Sequence, residues 1–210
     1  MAANFNNSAW FYDGLSRLVY GRALVNAQLY LLNFIEPGSR VLIVGGGTGW
    51  ILEELTKIHP SGLRITYVEI AAAMIDLSKK RHTGSNQIVY IQSAIEQVNL
   101  TPDFDVVITP FLFDNFTEQT LHTVFTHIHA LLKPQGLWLN ADFQLTGRWW
   151  QQLLLKSMFV FFRLICGIEA GKLPGIKTRF TANSYAMVDE KTFFNDFIVA
   201  NVYRRSPLTP

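Results

Sequence analysis

The stretch Arg40-Val41-Leu42-Ile43-Val44-Gly45-Gly46-Gly47-Thr48-Gly49 decides the fold of this chain: an apolar strand runs into four glycines and then into a helix beginning near Trp50. Glycine reaches positive φ and carries no Cβ, so a ligand can lie against its backbone. The next helix adds unpaired N–H groups at the positive end of its dipole. The spacing narrows the ligand. Glycines at 45, 47 and 49 form G-x-G-x-G, whereas the dinucleotide fingerprint G-x-G-x-x-G needs a small residue at position 50, where Trp50 stands. A pyrophosphate is disfavoured. The competing reading is a tight strand-to-helix connection with no ligand, and four clustered glycines argue against it, since their backbone entropy would be lost on folding without a packing return.

Downstream, Leu63-Arg64-Ile65-Thr66-Tyr67-Val68 reads as a second strand that ends in Glu69. In a doubly wound sheet that strand tip lies beside the first glycine turn, where a carboxylate can accept hydrogen bonds from vicinal ribose hydroxyls. Val41 to Gly49, followed by Tyr67-Val68-Glu69-Ile70 and Met74, resembles the first two motifs of class I S-adenosylmethionine-dependent methyltransferases. The likeness continues in order: Ile88 to Ala94 resembles the family's third strand, Phe104 to Thr109 its fourth, and Leu131-Leu132-Lys133-Pro134-Gln135-Gly136 its turn into the fifth. The resemblance implies a Rossmann-like, doubly wound α/β fold, with a mostly parallel seven-stranded sheet, an antiparallel last strand and an N-terminal helical cap. It implies S-adenosyl-L-methionine as cofactor, held by Gly45, Gly46, Gly47, Thr48, Gly49, Glu69, Ile70, Met74, Ser93, Ala94, Ile95, Thr109 and Phe111. Two positions depart from the family pattern. Ile43 stands where an acid usually precedes the first glycine by two, and Ser93 replaces an acid that often meets the adenine amino group. Each removes a charged contact to the cofactor and leaves the backbone cradle intact.

A chain of 210 residues fits one domain with a full core. Hydrophobic residues make up 49% and charged residues 16%, which excludes disorder and leaves part of the surface apolar or aromatic. A net charge of +2 with no sustained basic stripe points away from nucleic acid. The single Cys166 can form no internal disulfide and, set among Leu164, Ile165 and Ile168, reads as a buried thiol. The first residues lack a signal-peptide pattern, so the chain reads as cytoplasmic.

Apolar runs alternate with amphipathic stretches through residue 142, the βα pattern of a parallel sheet. Strands are expected near 40–45, 64–69, 87–92, 104–109 and 136–142, and helices near 48–58, 71–82, 117–132 and 148–168. Arg179 to Val188 and Phe197 to Arg204 read as two further strands. Residues 1–36 read as a helical cap on a methyltransferase-like domain over 37–210. Within the cap, Phe5 to Asp13 and Leu15 to Gly21 are similar to the N-terminal segment of methyltransferases related to ubiquinone and menaquinone biosynthesis, which implies a helix closing over the cofactor. A packing helix whose aromatics fill a groove is the alternative. Trp149 to Ile165 is nearly all apolar, yet Lys156 and Arg163 interrupt it before the ~20 uncharged residues a membrane span needs. It reads as a sheet-packing helix in preference to one that also makes peripheral contact with a membrane.

Methyl transfer from a sulfonium is an in-line displacement, so the protein supplies alignment, desolvation and, for a protonated nucleophile, a base. No metal is required. His122, His127 and His129 fall on one helix without a ligand arrangement. Base candidates belong at the carboxyl ends of strands. Asp114, after the fourth strand, is the first candidate, with capping of the helix near Thr117 as its structural alternative. Asp142 ends the fifth strand and Tyr12 lies in the cap. Trp149, Trp150 and the cap are expected to border the acceptor. The 16 phenylalanines and the quinone-branch cap indicate a small or lipid-like apolar acceptor. Two other functions compete. The same glycine and Glu69 pattern resembles spermidine synthases, although Thr109-Pro110-Phe111-Leu112-Phe113 is too apolar for a polyamine cation, and a noncatalytic cofactor-binding module fits Ile43 and Ser93.

Overall fold

The computed structural model describes residues 19–168 and 170–207. Its elements are α1 (Ala23–Leu32), β1 (Arg40–Val44), α2 (Trp50–Ile58), β2 (Ser61–Glu69), α3 (Ala72–Ser78), β3 (Ser85–Gln92), β4 (Phe104–Pro110), α4 (Glu118–Leu131), β5 (Leu132–Phe143), α5 (Trp149–Cys166), α6 (Ile176–Ala182), β6 (Tyr185–Phe193) and β7 (Ile198–Arg205). One seven-stranded sheet has the order β3-β2-β1-β4-β5-β7-β6. The first five strands are parallel and β7 runs antiparallel to both neighbours. This is the expected Rossmann-like, doubly wound architecture.

Strand β1 shows why the pattern reads as it does. Its side chains alternate between faces with period two, and helices cover both faces, so the run is uninterrupted in apolar character. Val41 and Ile43 join one core cluster with Ile51, Leu52 and Leu55 of α2 and Leu155, Met158 and Phe159 of α5. Leu42 and Val44 join the other, built on Leu121, Val124, Phe125 and Ile128 of α4. Helix α1 packs against β5, β6, β7 and α2. Among the described residues, no helix is long and apolar enough to cross a membrane.

The C-terminal pattern differs from expectation. Arg179 to Val188 is not a strand throughout: residues 176–182 form α6, and β6 begins only at Tyr185. Phe180 is the cause. It is completely buried, stacked on Tyr203 at 3.8 Å and edge-on to Trp138 and Phe125 at 5.0 Å, a position that a helical turn presents to the sheet. Helix α3 is also shorter than the 71–82 expected, ending at Ser78, whose hydroxyl donates back to the Ile75 carbonyl.

Candidate active site

The four glycines of the β1–α2 turn are required for different reasons. Gly45, Gly47 and Gly49 adopt φ of 70°, 62° and 76°, a region costly for residues with a Cβ. At Gly46 the φ is ordinary, but a Cβ would lie 2.4 Å from the Tyr67 ring. A Cβ on Gly49 would lie 2.5 Å from Ser78, so two of the glycines do have a packing role that the sequence alone does not reveal. At Gly47 a Cβ would meet nothing within 4 Å. Tyr67 donates its hydroxyl to the Gly47 carbonyl at 2.9 Å and so fixes the turn from below.

Glu69, 6% exposed at the tip of β2, accepts the Gly47 N–H at 3.1 Å and the Ala71 N–H at 3.0 Å. Two donors leave further lone pairs on its carboxylate. Burial pushes its pKa up, against these backbone hydrogen bonds. The turn and Glu69 form one end of a cavity of about 560 Å³, which continues between α1, the segment after β4, and α5. Of the residues singled out above, Gly45, Gly46, Gly47, Thr48, Glu69, Ile70, Met74, Ser93, Ala94, Ile95, Phe111 and Asp114 line it.

Others do not. Gly49 caps α2 and packs on Ser78. Thr109 is fully buried on the opposite face of the sheet, donating to Asn140 Oδ1 and accepting the Trp138 indole N–H, both at 2.9 Å; Pro110, one residue on, faces the cavity instead. Trp149 is 76% exposed, and Trp150 packs on Phe194 and Phe197, so neither borders the main cavity as expected. The wall from α5 comes from later turns, through Leu154, Ser157, Met158, Phe161 and Phe162. Tyr12 and the first half of the expected cap, residues 1–18, lie outside the described residues, while the second half borders the cavity through Val19, Tyr20, Gly21, Leu24, Val25 and Gln28. The three histidines have separate partners: the Val98 carbonyl for His127, Tyr185 for His129 and Arg179 for His122.

Asp114 sits in a single 3₁₀ turn over residues 113–115, 6% exposed. It does not cap α4, because Thr117 is the N-cap and accepts the Thr120 N–H with its own hydroxyl. Its Oδ1 accepts from Asn115 Nδ2 at 2.7 Å. Behind it Asp142, 3% exposed and outside the cavity lining, accepts the Phe143 N–H at 2.8 Å. Burial first, and then the facing Asp142 carboxylate, raise the Asp114 pKa well above its ordinary value. Burial likewise pushes Asp142 up to about 7, opposed by backbone N–H groups of Phe143, Phe113 and Asp114. Both carboxyls are therefore biased toward the neutral form, Asp114 the more so because Asp142 adds its charge to the effect of burial.

Tyr20 escapes the sequence argument although it lies in the stretch that resembles the quinone-branch cap. It is 7% exposed, lines the cavity, donates to Met158 Sδ at 3.4 Å and packs on Phe143 at 5.4 Å between ring centres. Burial, then the charge of nearby Asp114, raises its pKa. Phe111 marks strain at the same place. Its φ of 53° is unusual for a bulky residue, and it is held by an N–H bond to the Ala141 carbonyl at 2.7 Å and by its ring against Phe143.

Residues 41–136, the segment that supplies the turn, Glu69 and Asp114, match a family model described as a methyltransferase domain. The chain is 30% identical over 139 residues to malonyl-[acyl-carrier protein] O-methyltransferase of Priestia megaterium, covering 66% of this chain and 49% of that protein. It is 32% identical over 171 residues to the ubiquinone/menaquinone biosynthesis C-methyltransferase of Wigglesworthia glossinidia brevipalpis, covering 78% and 63%. The chain thus spans about half to two thirds of the length of these relatives. Among solved structures, magnesium protoporphyrin IX methyltransferase of Synechocystis PCC 6803 with bound S-adenosylhomocysteine superposes with a TM-score of 0.66 at 15% identity, covering 88% of this chain and 83% of that one. Sheet order and glycine turn agree with the fold of the class I S-adenosylmethionine-dependent methyltransferases, and residues 41–136 match a methyltransferase domain.

Proposed function

We propose that this protein transfers the methyl group of S-adenosylmethionine to a small, apolar, uncharged acceptor. The observation that carries this reading is a single cavity with two chemically distinct ends. At one end are the glycine turn, the start of α2 and the Glu69 carboxylate; at the other are Phe111, Phe143, Met158, Phe161 and Phe162. The first end fits the cofactor on structural grounds: the open space over Gly47 admits a ligand against backbone, and Glu69 keeps acceptor capacity toward ribose hydroxyls. Ile70, Met74, Ser93, Ala94 and Ile95 would flank the adenine. When bound, S-adenosylmethionine supplies a methyl group activated by the positive charge on sulfur.

The protein's own part is desolvation, alignment and proton removal. The charged side chains among the described lining residues are Glu69, Glu96 and Asp114, all carboxylates. A carboxylate acceptor would find no cationic side chain among these lining residues to receive it, whereas a neutral O–H, N–H or C–H acid meets ionised Asp114 as a proton acceptor. Burial, and then the charge of Asp142, would raise the basicity of Asp114, and a nearby positive charge favours its ionised form. Tyr20 would orient the acceptor across the Phe143 ring. Peripheral contact with a lipid surface is part of the same reading, as a route for an apolar acceptor.

Titration calorimetry with S-adenosylmethionine, S-adenosylhomocysteine and decarboxylated S-adenosylmethionine tests the proposal. Binding of the first two and not the third is expected. A preference for the decarboxylated form would move the protein to aminopropyl transfer, and no binding by any would remove the cofactor assignment.

A further inference from the structure

We propose that the outer face of α5 is a docking surface for anionic phospholipid and seats the mouth of the cavity against the bilayer. Its purpose rests on the apolar-acceptor reading; its existence rests on the geometry of the helix. Leu155, Met158 and Phe159 bury one side of α5 in the core, and Leu154, Phe161 and Phe162 face the cavity. That is enough to hold the helix. Yet the remaining side is apolar too: Trp149, Leu153, Val160 and Leu164 are 76%, 62%, 56% and 81% exposed. At ~100° per residue these four fall within roughly 60° of one another, forming a stripe that is ~22 Å long at 1.5 Å rise per residue.

Charge selects the occupant. Lys156 and Arg163 run along one flank of the stripe, and α5 contains no Asp or Glu. An apolar ridge with a terminal tryptophan, whose charged neighbours on the helix are Lys156 and Arg163, complements a headgroup layer of negative charge. The stripe also connects to the interior. A shallow groove lined by Val19, Trp150, Leu153, Leu154, Ser157, Phe194 and Asn195 shares Val19, Leu154 and Ser157 with the main cavity, so an apolar molecule leaving the acyl layer beside Leu153 meets a mainly apolar surface.

Co-sedimentation of the full chain with vesicles of phosphatidylcholine, alone or mixed with phosphatidylglycerol, tests this. Binding to the mixed vesicles, weakened by salt, is expected, with a blue shift of tryptophan emission that Trp149→Phe removes. Leu153→Glu and Leu164→Glu, both at exposed positions, should each lower the vesicle-bound fraction at least tenfold while S-adenosylhomocysteine affinity and circular dichroism stay as in the parent. Lys156→Glu provides a second variant that leaves the apolar stripe untouched and should also weaken binding. Absence of binding to mixed vesicles, or variants that bind as the parent does, would overturn the proposal. So would light scattering that shows a parent dimer dissolved by Leu164→Glu without lipid binding, since the face would then belong to a second copy. A protein that binds vesicles but no S-adenosylmethionine would retain the docking surface and lose the enzymatic reading.

Discussion

Replacing Asp142 by Asn should stabilise the protein at neutral pH and leave it nearly unchanged in acid. Burial raises the folded-state pKa of Asp142 from 3.8 to about 7. Between those values the native state holds a proton that the unfolded chain has released, so the proton favours folding at low pH. That contribution is fully present below 3.8 and is lost as pH rises through about 7. About three pH units at 1.36 kcal/mol each give a penalty of about 4 kcal/mol on the ionised native state near pH 8. Asparagine keeps the shape and an oxygen for the Phe143 N–H, and carries no charge to desolvate. Urea unfolding across this range should therefore show variant and parent curves that coincide in acid and separate progressively toward neutrality, with the variant the more stable. The same substitution removes the carboxylate that raises the Asp114 pKa, so the acid limb of the kcat profile should move to lower pH. Parallel stability curves, with the gap independent of pH, would refute the burial-raised pKa of Asp142.

Asp114→Asn should retain S-adenosylhomocysteine binding and slow methyl transfer by roughly 10²-fold or more, because the amide cannot take the acceptor's proton; full turnover would make Asp114 structural. Glu69→Ala should weaken S-adenosylhomocysteine binding by about 2–4 kcal/mol, measured by calorimetry, and unchanged affinity would remove Glu69 from the ribose. Gly46→Ala should lower thermal stability, since its Cβ would overlap the Tyr67 ring. Gly47→Val should remain folded, at a strain cost of ~1–2 kcal/mol, and lose cofactor binding.

The sheet was legible because β1 carries an unbroken apolar run, as a strand covered on both faces requires, while β2, β4 and β5 are rich in Val, Ile, Leu and aromatic residues and are set off by glycines and prolines. What escaped was set by partners far away in the chain. Arg179-Phe180-Thr181 has the composition of a strand, and only the aromatic cluster of Trp138, Phe125 and Tyr203 draws Phe180 inward on a helix. Thr109 sits at the right height on β4 but points to the wrong face, a distinction of one residue in a period of two. The Asp114–Asp142 pair depends on the parallel register that sets Pro110 beside Ala141. Neither residue's local sequence reports that register. Tyr20 and the α5 wall meet across 138 residues, as the Tyr20–Met158 bond shows.

The glycine turn, which opened the sequence argument, separates what the fold needs from what a ligand needs. Gly46 and Gly49 are demanded by Tyr67 and Ser78, and Gly45 by its φ of 70°. Those three glycines would be required even in a turn that bound nothing, so their presence alone cannot discriminate between the two readings. Gly47 can. Its φ favours glycine, but no neighbouring atom forbids a side chain, and the space above it belongs to the cavity that Glu69 also faces. Its N–H is already engaged by Glu69 and its carbonyl by Tyr67, so the turn is held rigid by the same residue that is proposed to grip the ribose. A fold that needed only the connection could tolerate Asn at Gly47, since Asn enters the left-handed region at little cost. Ligand contact at this position cannot, because any side chain would occupy the space where the cofactor lies against backbone.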